Sequence, residues 1–428
     1  MRNVLYAMAM YLMVSTVFIS CKKDSEDDPT QGTLKGMVTS TSNQGISNAR
    51  IIVYDANTNA PVGGGAQTGS DGSFSISLDP GTYYLNLSKQ GYNGVPAAGT
   101  TPVSVTIEIG EETISNYQMS ASSVVNGGSI AGKVTSGGNV LAGVLVVASS
   151  GANGYSSVTD INGNYYIYNV PAGTYDVKGF LSKYNSPSLS VALTAGSESA
   201  GNNLAMTSGA TGLISGAVSF LATNNGEVDV TLTNPLTKET IPGLVTKTQD
   251  GQYSISNIPD GVYIVRASFA NDNYVVDPDW IIKNGEPKVT IAANTITQNF
   301  SVTGSIKLTS PTNDSASVKP VEITGATPIF TWQAYSSTSD YIIEVSDING
   351  NIIWGGFTNN GGTITKNIII PKNQLSIVFN SDNKASSTLK TNTIYRWRIY
   401  ASKDDTSSPT GWKLISVSEE QRGLFMIK

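Results

Sequence analysis

The chain has 428 residues, 14% of them charged, a net charge of −6, no histidine and one cysteine. The negative balance disfavours nucleic acid and anionic lipid surfaces as partners. Without histidine no His-based catalytic triad can be assembled and zinc sites lose their commonest ligand, while a lone cysteine excludes an internal disulfide.

Arg2 precedes a mostly apolar stretch, Val4 to Ser20. It is too short and too poorly flanked for a spanning helix, and residues 1–20 read as a secretory signal peptide. The stretch ends in Phe18-Ile19-Ser20-Cys21, which resembles a bacterial lipobox with Phe18 in place of the usual leucine. That resemblance implies acylation of Cys21 and attachment to a membrane through lipid. Residues 21–31 form a tether, because the run Lys22-Lys23-Asp24-Ser25-Glu26-Asp27-Asp28 cannot bury itself. The run is similar to the acidic export signal of surface lipoproteins of the Bacteroidota, which implies an outer-membrane protein at the cell surface.

Three segments then repeat one pattern. Each opens on a short alternating strand with a central glycine: Gly32 to Ser40, Gly128 to Ser136 and Gly212 to Phe220. An apolar strand follows over Ala49 to Tyr54, Gly143 to Ala148 and Val228 to Leu232. Asp71-Gly72, Asn162-Gly163 and Asp250-Gly251 come next and predict tight hairpin turns. Period-2 alternation resumes at Phe74/Ile76, Tyr165/Ile167 and Tyr253/Ile255. A second turn leads into Gly81-Thr82-Tyr83, Gly173-Thr174-Tyr175 and Gly261-Val262-Tyr263, so the two turn glycines lie 9, 10 and 10 residues apart. A later tyrosine returns as Tyr92, Tyr184 and Tyr274, and each unit is expected to close on an alternating strand such as Val103 to Ile109. This order resembles the carboxypeptidase regulatory-like domain, a transthyretin-like sandwich. The resemblance spans residues 32–304 and implies sandwiches at 32–122, 123–209 and 210–304. Such domains are accessory modules, and the family name carries no implication of peptidase activity.

Residues 305–428 follow another pattern. Pro328-Ile329-Phe330-Thr331-Trp332 and Tyr341 to Val345 read as strands, and Asn349-Gly350 predicts a hairpin into Ile352-Ile353-Trp354. With the strand Leu389 to Ala401, this segment resembles a fibronectin type III domain. The resemblance implies Tyr395 as a corner tyrosine, Trp332 and Trp397 in the core, and an insertion near Asn380–Ser387. The expected fold class is therefore all-β, a tandem array of four β-sandwich domains after a lipoprotein signal peptide.

Chemistry is sparse. Asp71, Asp160 and Asp250 sit in turns, where Asp bonds its own backbone, and Asp160-Ile161-Asn162-Gly163 lacks the acid spacing of a calcium loop. Lys35 and Lys133 straddle the central glycine differently, which disfavours a shared isopeptide crosslink. Tyr83, Tyr175 and Tyr263 read as core. Tyr274 and Trp280 flank a polar stretch with Asp277 and Asp279 that reads as a loop, and these four are the candidate ligand-binding residues: rings to stack on sugars, carboxylates to accept hydroxyl hydrogen bonds. Asp314-Ser315-Ala316 matches the short O-glycosylation acceptor of Bacteroidota, which marks Ser315. No catalytic residue, metal site or cofactor is called, and no enzyme activity is expected. The expected function is a non-enzymatic surface lipoprotein that binds carbohydrate or assists a nutrient-uptake or adhesion assembly, with a glycan or an outer-membrane protein as partner. The alternative is a spacer, in which four sandwiches of ~30 Å laid end to end would span ~120 Å.

Overall fold

The computed structural model describes residues 30–427 except 57, 97–101, 103, 123, 222–225, 268–272, 314–319, 348–350, 392–393 and 420. The chain is a tandem all-β array of sandwiches. In the first, Gly32–Ser40 pairs antiparallel with Ser73–Leu78 and parallel with both Glu112–Ile114 and Tyr117–Met119. The facing sheet runs in the order Pro61–Gln67, Arg50–Asp55, Gly81–Ser88, Ser104–Ile107. Alternation places Leu34 and Val38 of one sheet against Ile51, Val53, Leu85 and Leu87 of the other. The second and third sandwiches repeat this order around Gly128–Ser136 and Gly212–Phe220.

Two expectations change. The Asp-Gly and Asn-Gly turns close locally with hairpin-type backbone bonds, Gly69 to Gly72 and Ser73, Asp160 to Gly163 and Asn164, and Gln249 with Gln252, but the strands they join do not stay paired. Pro61–Gln67 pairs with Arg50–Asp55, whereas Ser73–Leu78 pairs with Gly32–Ser40, so the turn carries the chain from one sheet to the other. Gly72, Gly163 and Gly251 still adopt positive φ, and their carbonyls accept hydrogen bonds from the amides of Val38, Val134 and Val218. Each unit also ends later than its alternating strand: Ser104–Ile107 is followed by the two short parallel strands of the first sheet.

Those parallel strands explain the central glycine. The chain switches from one to the next beside Gly36, Gly132 and Gly216, and the carbonyls of Ser115, Asn202 and Gln298 occupy the place where a Cβ would stand. At the switch, Asn116, Asn203 and Asn299 each accept a hydrogen bond from the amide one residue past the glycine, at Met37, Lys133 and Ala217. The tyrosine of each Gly-x-Tyr motif is buried, and its hydroxyl donates to the carbonyl four residues upstream: Tyr83 to Asp79, Tyr175 to Pro171 and Tyr263 to Pro259, at 2.8–2.9 Å.

The C-terminal segment packs a three-stranded sheet (Leu308–Ser310, Ile329–Trp332, Ser376–Val378) against a seven-stranded one built on Asp340–Asp347 and Ile394–Asp404. Phe330, Trp332, Trp354, Tyr395, Trp397 and Phe425 fill its core. The Tyr395 hydroxyl accepts from the Lys390 amide at 2.8 Å. The expected insertion folds back on the core, where Asp382 accepts the Trp354 indole N–H at 2.7 Å. Asn349-Gly350 lies outside the described residues, although the strands on either side, Asp340–Asp347 and Ile352–Gly355, do pair antiparallel.

Candidate functional site

Cys21 and Ser315 lie outside the described residues. The other candidates fall together between the third and fourth sandwiches, in a stretch that is not a loop. Tyr274–Val276 is a strand paired with Phe300–Gly304, and Pro278–Asn284 is a helix. The local cause is legible: Asp277 is the N-cap and Pro278 opens the first turn, where proline's missing N–H costs nothing. The Asp277 carboxylate accepts from the amides of Asp279 (3.0 Å) and Trp280 (3.4 Å). Burial lifts its pKa above the ordinary carboxylate value despite those two N–H bonds.

Asp279 reaches across to the next sandwich. One oxygen accepts the Leu414 amide at 2.9 Å and the other pairs with Lys283 at 2.7 Å. Lys283 also reaches the Ser408 hydroxyl. Val275 is buried with Ile342, Tyr400, Leu414 and Val417, and Ile282 packs on the same cluster. Tyr274 stacks edge-on against Phe220, ring centres 5.1 Å apart. Trp280 is different. It is 40% exposed, and no other Trp or Phe among the described residues has so open a ring. The four candidates are thus brought into one neighbourhood, but Asp277 and Asp279 hold the helix and dock it, and Trp280 alone presents an open face.

The turn acids also act locally. Asp71 accepts from the Ser73 hydroxyl and amide, which lowers its pKa. Asp160 accepts from the amides of Asn162 and Asn164. Lys35 pairs with the Glu112 carboxylate. Among the described residues no three His, Cys, Asp or Glu side chains converge as a metal site would require.

Sequence reasoning missed the joints between sandwiches. Arg50 points away from its own core yet is 8% exposed. Its guanidinium pairs with Asp160 of the second sandwich at 2.6 Å and lies over the Tyr166 ring at 4.8 Å. Between the second and third sandwiches the contact is apolar: Leu145, Val147 and Phe180 leave their own sheet's outer face to join a core containing Leu232, Ile241 and Tyr263. Lys178 donates to the Asp260 carbonyl, and Glu239 accepts from the Ser156 hydroxyl. The third and fourth sandwiches are joined through the Val275 cluster, the Asp279–Leu414 bond and a Thr303 hydroxyl donating to the Ile415 carbonyl at 3.0 Å. The second sandwich is therefore covered on a sheet face. An outward-facing residue that should be polar but is not, such as Leu145 or Val147 beside Val144 and Val146, was the available signal: the strand is apolar on both faces.

Residues 33–120 match the model of the carboxypeptidase regulatory-like domain. No curated protein matches the chain. Among solved structures, a DUF3823 family protein from Bacteroides uniformis is similar at 14% identity and a TM-score of 0.23, covering 51% of this chain and 100% of that one. A streptococcal ancillary pilin is similar at 14% identity and a TM-score of 0.19, covering 63% and 98%. The Bacillus anthracis TIE protein is similar at 15% identity and a TM-score of 0.18; 64% of this chain aligns with 51% of that one, so about half its length is spanned.

Proposed function

We propose that this chain is a non-enzymatic surface protein, anchored to the outer membrane by lipid on Cys21, whose sandwiches form a stiff support. The single observation that carries the reading is the joint set: every pair of consecutive sandwiches shares buried side chains rather than a bare linker. A flexible string of domains has few contacts across its boundaries, whereas here an ion pair, a shared apolar core and a docked helix fill them. The C-terminal sandwich, read as fibronectin type III-like, is then held at a fixed place relative to the membrane for an assembly partner.

The test is small-angle X-ray scattering of the Cys21→Ser protein, which lacks the acylation site. A stiff stack gives one narrow distance distribution and a Kratky profile that returns to baseline. A rising Kratky profile, the signature of independently moving domains, would overturn the reading. The anchor is checked on the same variant, which should take up no fatty-acid label in cells. Orientation is checked with external protease on intact cells.

Carbohydrate binding is a second reading, favoured by the open Trp280 face beside the third joint. Exposed stacking and solvated hydrogen bonds give little net energy, so retention should be weak. Trp280→Ala should abolish retention on a glycan array and leave the thermal midpoint within a few degrees of the parent. A parent protein that retains no glycan sinks this reading and leaves the support reading standing.

A further inference from the structure

The second and third repeats have one residue more than the first between their turn glycines, and the structure shows where it goes. In the first sandwich the register of the opening strand runs without a break: Leu34 faces Ile76, Thr33 faces Ser77 and Gly32 faces Leu78. In the second, Ile130 faces Ile167 but Gly128 faces Val170. In the third, Ile214 faces Ile255 but Gly212 faces Ile258. Both therefore carry one extra residue as a β-bulge, which bends the strand and re-aims what it bears. At each bulge an asparagine takes the left-handed conformation, Asn169 with φ 59° and Asn257 with φ 58°, which non-glycine residues other than Asn and Asp rarely adopt.

Each bulge touches the same place on the preceding sandwich. Asn169 Oδ1 accepts the Gly91 amide at 2.7 Å, its Nδ2 donates to the Tyr92 carbonyl at 2.6 Å, and its own amide donates to Gln90 Oε1 at 3.2 Å. Asn257 meets the equivalent loop one repeat later, its backbone carbonyl accepting the Lys183 amide at 2.8 Å. Tyr92 and Tyr184 are the matching tyrosines of those two loops. The first sandwich has no sandwich before it among the described residues and has no bulge at this position.

We propose that the inserted asparagine is the docking element of the array, so that a ten-residue spacing marks a sandwich built to seat on the one before it. The loop at 90–92 or 182–184 is the receiving surface, and its partner is the bulge of the next repeat of this same chain. This rests on the stiff-support reading and supplies its mechanism at the first two joints. The two bulges act through different atoms, which makes the proposal separable from a general loss of fold. Asn169 works largely through its side chain and Asn257 through its main chain.

Hydrogen–deuterium exchange of the full chain, read by mass spectrometry, tests it. Deleting Asn169, which restores the first repeat's spacing, should speed exchange at 90–92 by about tenfold or more, as loss of one or two hydrogen bonds implies, and leave 182–184 unchanged. Deleting Asn257 should do the reverse. Asn169→Gly keeps the left-handed backbone without the amide and should still expose 90–92, whereas Asn257→Gly should leave 182–184 protected. Core protection at 165–167 and 253–255 reports that the sandwiches remain folded. If the parent is protected at both loops and neither the Asn169 deletion nor Asn169→Gly changes 90–92, the bulge is not the docking element. If the parent itself exchanges freely at both loops, the stiff-support reading fails instead.

Discussion

Phe180→Ala tests whether the second and third sandwiches fold as one unit. Phe180 lies on the outer face of its own sheet yet is only 7% exposed, edge-on to Tyr263 of the next sandwich with ring centres 6.2 Å apart, and Lys178 Nζ stands 5.5 Å from its ring. Removing the ring loses about 2–3 kcal/mol of apolar burial. The aromatic pair adds about 1 kcal/mol and the cation–ring contact about 0.5 kcal/mol. A total near 4 kcal/mol agrees with the range of about 3–5 kcal/mol for Phe→Ala in a packed core. The loss should fall on the coupling between sandwiches rather than on either fold alone. Scanning calorimetry of the parent should then show the second and third sandwiches melting in one transition, and the variant should show that transition split in two. If the variant melts as the parent does, with a loss below about 1 kcal/mol, the ring does not couple the sandwiches and the shared core is nominal.

Asp160→Asn keeps an oxygen for the turn amides but leaves Arg50 buried without a carboxylate; it should weaken the first joint by about 3 kcal/mol, and Arg50→Met in the same chain should recover part of the loss in urea midpoints. Gly216→Ala places a methyl on the Gln298 carbonyl and against the Tyr253 ring; it should destabilise the third sandwich by about 1–3 kcal/mol, the usual cost of overpacking, read as a lower denaturant midpoint, and an unchanged midpoint would refute the close approach. Glu239 is held above its ordinary value of 4.5 by burial, with the Ser156 hydroxyl bond opposing. The folded state therefore binds its proton more tightly than the unfolded chain, and the contribution is full below pH 4.5 and lost as pH rises through the raised value. Glu239→Gln should accordingly be more stable than the parent at pH 7 and equal to it near pH 4, measured by urea midpoints at both.

Local chemistry made much of this molecule readable from the chain. Period-2 alternation placed the opening strands at Gly32–Ser40, Gly128–Ser136 and Gly212–Phe220, because facing a core on one side dictates every second residue. The buried tyrosines of the Gly-x-Tyr motifs and the Asp-bonded turns follow from rules that act within four residues. The nine- and ten-residue spacings were visible as well, but their meaning was not. What the tertiary structure alone decided is which strand each strand pairs with, and therefore which way a turn leads. Pro61–Gln67 and Ser73–Leu78 look like a hairpin in the chain and belong to opposite sheets in the fold. The same holds for Asp277 and Asp279, which look like free loop acids until the helix that Asp277 caps is seen with Asp279 bonded to Leu414, 135 residues further along the chain. Residues so far apart in sequence are coupled only by hydrogen bonds and burial that form across the folded array, and no local pattern encodes the identity of a partner that distant.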